Sequence, residues 1–110
     1  MDYILNYNFN EAGNIWDIII KGEIDIYNST QLKEKLSSLV QDKPIDLHIN
    51  CSQLEYIDST GLGALVAILK KAKQNNLNVT LSNLKPNVAK LFKITNLDKV
   101  FIIEGEANEQ

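Results

Sequence analysis

Two short runs hold residue types that could do chemistry. Asp58-Ser59-Thr60-Gly61-Leu62-Gly63 sets a carboxylate and two hydroxyls against two glycines, and Gly22-Glu23-Ile24-Asp25 sets two carboxylates after an apolar stretch. A hydroxyl beside a carboxylate at the start of a helix can serve as a nucleophile, a phosphoryl acceptor or a helix cap, and the surrounding pattern decides among them. The first run is not a P-loop, because Gly63 leads into Ala64, Leu65 and Val66 and the next lysine is Lys70, whereas phosphate cradling needs a Gly-Lys-Ser/Thr ending. It is not a nucleophile elbow either: Ile57 stands two before Ser59, where that motif has glycine, and the one histidine, His48, precedes it on a strand. The second run lacks the partners of a response-regulator acceptor, since the first strand ends Phe9-Asn10 rather than on an acidic pair. Taken alone, Asp58 or Ser59 is a helix N-cap. The two glycines that follow cost about 1 kcal/mol each relative to alanine in a helix. Something should compensate for that, either a surface that approaches the backbone or an anion at the open amides.

The elements that must position these runs follow from period. Tyr3, Leu5, Tyr7 and Phe9 alternate with Asn6 and Asn8 in a half-buried strand, Glu11 to Asn14 turn, and Ile15 to Lys21 returns with Trp16, Ile18 and Ile20 on the core face. Gly22 is expected to end that strand. Asn28 with Gln31 reads as a capping box for a first helix whose stripe is Leu32, Leu36, Leu39 and Val40, running to about Gln41. Ile45, Leu47 and Ile49 alternate with Asp46, His48 and Asn50 in a third strand. His48 therefore faces water as a solvated strand histidine with no carboxylate partner on its own strand face, and Cys51 is a small residue at the core edge. After Asp58, the residues Leu62, Leu65, Val66, Leu69 and Ala72 form the stripe of the longest helix, which Asn75-Asn76 stops. Its late lysines, Lys70, Lys71 and Lys73, suit the negative pole of the macrodipole. Val79 and Leu81 mark a fourth strand, Pro86 opens a third helix on Val88, Leu91 and Phe92, and Val100 to Ile103 a last strand, with a polar tail beyond Glu104. Strands linked by crossover helices give an α/β pattern, and strands apolar on one face only place the helices mainly on one side of the sheet.

Composition narrows the function classes. All 11 basic residues are lysines against 14 acids, a net charge of −3, which removes a global drive toward nucleic acid or anionic lipid and leaves no arginine fork for phosphorylated ligands. His48 and Cys51 fall short of a zinc ligand set, and Cys51, the only cysteine, has no internal disulfide partner. No basic leader and no long apolar run stands at the N-terminus; a cytoplasmic protein with no membrane contact is expected.

Gly22-Glu23-Ile24-Asp25, then Tyr56-Ile57-Asp58-Ser59-Thr60-Gly61-Leu62-Gly63, then Leu84 through Leu97 with Pro86, Val88, Leu91-Phe92 and Thr95 together resemble the bacterial anti-sigma-factor antagonists of the STAS domain family. The resemblance runs in order over nearly the whole chain, and the stretch from Gly22 to Tyr27 and the Asp-Ser-Thr variant most resemble the general-stress branch. It implies a single STAS domain over residues 1–110, with a two-layer α/β fold, a mixed β-sheet and helices mainly on one face. It implies a regulator and not an enzyme, with no cofactor and no metal. In that family the unphosphorylated antagonist binds an anti-sigma factor that is also a serine kinase and so releases the sigma factor; phosphorylation reverses this partner switching, and a serine phosphatase, met transiently, resets it. Carried over by position, Ser59 is the phosphorylation site and Asp58 matches the motif aspartate. Asp25 matches an acidic loop residue near the acceptor, and Asp25, Asp58, Ser59, Thr60, Gly61 and Leu62 make up the partner-binding surface. The free protein is expected to be a monomer that does not bind nucleic acid directly. One departure stands out: the C-terminus is short for the final helix often seen in the family. Two rival readings are a non-catalytic STAS subunit of a larger signalling or transport assembly, with Ser59 only a helix cap, and a small enzyme using Asp58 and Ser59. The second of these is disfavoured by the lack of a base, metal set or cofactor motif.

Overall fold

In a computed structural model the described residues are 2–105. The chain runs β1 (Tyr3–Asn10), β2 (Ile15–Ile24), α1 (Ser29–Asp42), β3 (Asp46–Asn50), β4 (Leu54–Ile57), α2 (Ser59–Gln74), β5 (Val79–Ser82), α3 (Pro86–Ile94), a 3-10 turn (Leu97–Lys99) and β6 (Ile102–Glu104). The expected polar tail and the position of a final helix lie outside the described residues.

One mixed sheet carries the order β1-β2-β3-β5-β6, with β1 antiparallel to β2 and the remaining pairs parallel. The third predicted strand is thus central, and the fourth lies next to it. Period two decides the layers: Trp16, Ile18 and Ile20 of β2, Leu47 and Ile49 of β3, and Val79 and Leu81 of β5 are all buried, while Asp17, His48 and Thr80, aligned across the same strands, face the other way and are only half-buried. The helices fill the apolar face. Leu32, Leu36, Leu39 and Val40 of α1, Leu62, Leu65, Ile68, Leu69 and Ala72 of α2, and Val88 and Phe92 of α3 share one core with the inner strand residues. Ile68 joins the buried stripe of α2, whereas Val66, which the spacing assigns to it, is only partly buried.

Trp16 shows how the two layers are locked. Its indole Nε1 donates to the carbonyls of Leu39 at 3.0 Å and Lys43 at 3.1 Å, so β2 is pinned by a buried polar contact to the C-terminal end of α1, at carbonyls that also accept from the Lys43 and Ile45 amides. Tyr7 and Phe9 of the hairpin partner strand pack edge-on against the same ring, each with centroids 6.1 Å away.

Three local expectations are corrected. Gly22 does not end β2: the strand passes through it at φ 98° and continues to Ile24, a left-handed turn of the backbone that favours glycine and marks a register shift. The capping box does not form, because Asn28 makes no side-chain bond to the helix; its side chain is committed elsewhere. The final strand starts at Ile102, since Val100 ends the 3-10 turn and is exposed while Phe101 packs on Phe92. The strand β4 is additional to the elements that hydrophobic period predicts. Its four residues read buried, exposed, exposed, buried, so no alternation announces it.

Candidate functional site

β4 brings the two chemical runs together. It lies parallel to the last residues of β2, with Glu23 opposite Tyr56 and Ile24 opposite Ile57, and the Asp58 amide donates to the Ile24 carbonyl at 3.2 Å. The loop Asp25–Asn28 and the start of α2 therefore emerge side by side from the ends of paired parallel strands, where open α/β sheets tend to place their sites.

Asp58 is the N-cap of α2. Its backbone is extended, and one carboxylate oxygen, Oδ1, accepts from the Thr60 amide at 2.9 Å, the Gly61 amide at 3.0 Å and the Thr60 hydroxyl at 2.6 Å. The hydrogen bond from the Thr60 side chain, joined by the amides of Gly61, Thr60 and Ile26, holds the Asp58 carboxyl below the usual aspartate range against the opposing effect of burial. Between the two hydroxyls the structure makes a clear division. Thr60 spends its proton on Asp58, whereas Ser59, the first residue of α2, is exposed.

The cap also sets a pH dependence. A carboxyl whose pKa is lowered by folding stabilises the fold above its unfolded pKa, about 3.9, and loses that contribution as pH falls through the folded value. Asp58→Asn should therefore be less stable than the native chain at pH 7, and the gap should narrow as the pH drops below about 4. Chemical denaturation at a series of pH values measures it; a gap that stays constant into acid would contradict the charged cap.

The neighbouring loop is tied by buried polar groups. The Asp25 carboxylate accepts from the Tyr27 amide at 2.9 Å, the Asn28 Oδ1 accepts from the Asp25 amide at 2.9 Å, and the Asn28 Nδ2 donates to the Glu23 carbonyl at 2.9 Å. Asp25 and Asn28 are both buried, so Asp25 shapes the loop from beneath, and Asn28, whose role the sequence did not separate from capping, is its second tie. Gly61 and Leu62 are buried as well. A Cβ on Gly61 would lie 2.5 Å from Ile57 Cγ1 and 2.8 Å from Ile24 Cγ2, so this glycine lets α2 sit on the paired strands. Gly63 differs: a Cβ there would meet nothing within 4 Å. It opens onto a shallow groove of about 200 Å³ between Ser29, Thr30 and Lys33 of α1 and Thr60, Gly63 and Ala64 of α2.

Away from this site, His48 is less isolated than its strand suggested. Its Nε2 lies 2.9 Å from Ser82 Oγ and its Nδ1 3.7 Å from Asp17 Oδ1, the carboxylate arriving from β2 by cross-strand register. Burial pushes the Cys51 thiol up to about 12, the state of an inert core residue. Among the described residues no group of three or more histidine, cysteine, aspartate or glutamate side chains could hold a metal ion, and no helix is long and apolar enough to cross a membrane.

Comparison with known proteins agrees with this geometry. The chain is 34% identical over 102 residues to the anti-sigma-B factor antagonist of Staphylococcus epidermidis, covering 92% of this chain and 94% of that one. Its fold is similar to a Thermotoga maritima crystal structure, with TM-score 0.85 and 23% identity over 96% of this chain and 89% of the other. It is also similar to the Bacillus cell fate determinant SpoIIAA in its phosphorylated form, with TM-score 0.71 and 19% identity over 94% of each chain. The STAS domain family model matches residues 6–109, which takes in both sheet ends, the Asp25 loop and the Asp58 cap, and the chain belongs to the STAS domain family.

Proposed function

We propose that this protein is an anti-sigma-factor antagonist whose unphosphorylated form binds an anti-sigma factor with serine-kinase activity, and that phosphorylation of Ser59 switches the complex off. The observation that carries the reading is the state of the two hydroxyls: Ser59 is exposed at the first position of α2, while Thr60 is held by the Asp58 carboxylate. The name of the Staphylococcus epidermidis relative, an anti-sigma-B factor antagonist, supports the partner class. The phosphorylated form of the structurally similar SpoIIAA is in keeping with a phosphoryl switch on this fold.

The partner surface comprises Asp58, Ser59 and Thr60 at the helix start, with Asp25, Gly61 and Leu62 shaping it from below. In this reading the chain acts in the cytoplasm, is a monomer when free, needs no cofactor, and meets a serine phosphatase only transiently to be reset. The protein does no catalysis of its own; the kinase supplies the phosphoryl transfer and the antagonist supplies a presented serine.

The test uses the tagged chain as bait in a lysate of its source cell, with and without ATP, followed by intact-mass measurement and peptide mapping of the bait. The expected result is a captured kinase-fold protein that leaves on addition of ATP, with one phosphate on Ser59. Phosphate on Thr60 alone, or release without any gain in mass, contradicts the switch.

A further inference from the structure

Beside the Ser59 surface stands an apolar feature that the site has not used. Tyr27, 88% exposed, is the most exposed large apolar side chain among the described residues, and Ile26 next to it is 65% exposed. Neither is displayed by a loose loop. The Tyr27 amide is bound by the buried Asp25 carboxylate, Asn28 ties the Asp25 amide to the Glu23 carbonyl, and the Asp25 carbonyl accepts from the Asn28 amide at 3.2 Å and the Ser29 amide at 2.9 Å. The Asp58 amide donates to the Ile24 carbonyl at 3.2 Å, and Ile24 pairs with Ile57, so this loop and the cap that precedes Ser59 leave adjacent strand ends. A flexible segment could fold two such side chains back onto the protein, but this one is held by a buried polar network that keeps both in water.

We propose that Tyr27, with Ile26 beside it, is the apolar anchor by which this surface seats in the anti-sigma factor, with Ser59 as the charge-sensitive element at its edge. The proposal rests on the function proposed above, which supplies the occupant. Three features argue for it. Tyrosine is among the residues that dominate binding energy at protein interfaces. A backbone fixed in advance spares the ordering cost that a mobile loop would incur on binding. The anchor also lies next to the exposed hydroxyl, because its loop and the start of α2 leave the paired ends of β2 and β4, so one partner face can cover both.

The experiment measures affinity for the anti-sigma factor purified from the source cell after capture by the wild-type chain, using titration calorimetry on Tyr27→Ala, Ile26→Ala, Tyr27→Phe and the control Ile94→Ala. Ile94 is as exposed as Ile26, at 66%, but lies at the end of α3. Tyr27→Ala should weaken binding by about 30-fold or more and Ile26→Ala by about 5-fold, both within the hot-spot range. Tyr27→Phe should keep most of the affinity, and Ile94→Ala should leave it unchanged. Melting temperatures should not move, because the loop is tied through backbone groups that these substitutions retain. Binding by Tyr27→Ala within twofold of the native chain would overturn the anchor while leaving the proposed function standing. Failure of the native chain to bind any anti-sigma factor would overturn both. A native dimer in sedimentation that Tyr27→Ala dissolves would assign the patch to a second copy and likewise overturn the anchor.

Discussion

Gly61→Val is expected to lower the melting temperature by more than about 10 °C, whereas Gly63→Ala, two residues on, should raise it by a few degrees. The two glycines look alike in sequence and have opposite surroundings. At Gly61 an added Cβ would collide with Ile57 and Ile24 at 2.5 and 2.8 Å, and both isoleucines are fully buried, with 1% and 0% exposure. They cannot yield without disturbing the pairing of β2 with β4. Overpacking of this kind costs about 1–3 kcal/mol, and a branched valine belongs at the upper end. The helix propensity gained on losing glycine returns less than about 1 kcal/mol. At Gly63 only that gain remains, because a Cβ meets nothing within 4 Å. An exposed helical glycine that the free protein does not need should have its use elsewhere, and Gly63→Ala should bind the anti-sigma partner more weakly despite its greater stability. Thermal melts of both variants with partner titrations of the second check the pair; a stabilised Gly63→Ala with native affinity would remove Gly63 from the partner surface.

The contrast also marks how far the sequence could be read. Residues with one clear period were legible: the alternation of Trp16, Ile18 and Ile20 and of Leu47 and Ile49 placed the helices on one face, and the stripes of α1 and α2 set their length. A cap at Asp58 or Ser59 was legible from residue type, and the hydrogen bonds from the Thr60 and Gly61 amides give it to Asp58. What stayed hidden depended on contacts between distant segments. β4 is four residues without alternation, stabilised by the end of β2 and by the helix above it, so nothing local reported the strand that joins the two chemical runs. The polar type of Asn28 fitted a cap, but bonds to Asp25 and Glu23 outcompeted the helix amides. Asp17 reached His48 across strands, which spacing along β3 alone could not register. Gly61 and Gly63 shared one motif, and only packing separated a glycine required by the fold from one left open.

Phosphorylation of Ser59 is expected to weaken the complex with the anti-sigma factor by at least about 10-fold and by up to several decades. Phosphate brings about −1.5 to −2 charges. The start of a helix usually welcomes an anion, but here the amides of Thr60 and Gly61 are already taken by the Asp58 carboxylate. The new dianion must therefore project outward or compete with Asp58 for the same donors. In the free protein, water screens it. In a closed interface it is desolvated: against one partner carboxylate at about 6 Å the repulsion is about 5 kcal/mol at an effective dielectric of 20 and only about 1.4 in water. The affinity loss thus scales with how completely the partner covers Ser59, and no refolding of the domain is required. Ser59→Ala should stay bound in the presence of ATP, since it removes the acceptor without touching the Asp58 cap. Ser59→Asp should fall between the native and phosphorylated forms, because one carboxylate supplies about half the charge and fewer acceptor oxygens. Titration of the four forms against the purified partner orders them. Native affinity in the Ser59-phosphorylated chain would defeat the electrostatic switch, and an equal loss for Ser59→Ala would mean that the hydroxyl itself, rather than added charge, governs the contact.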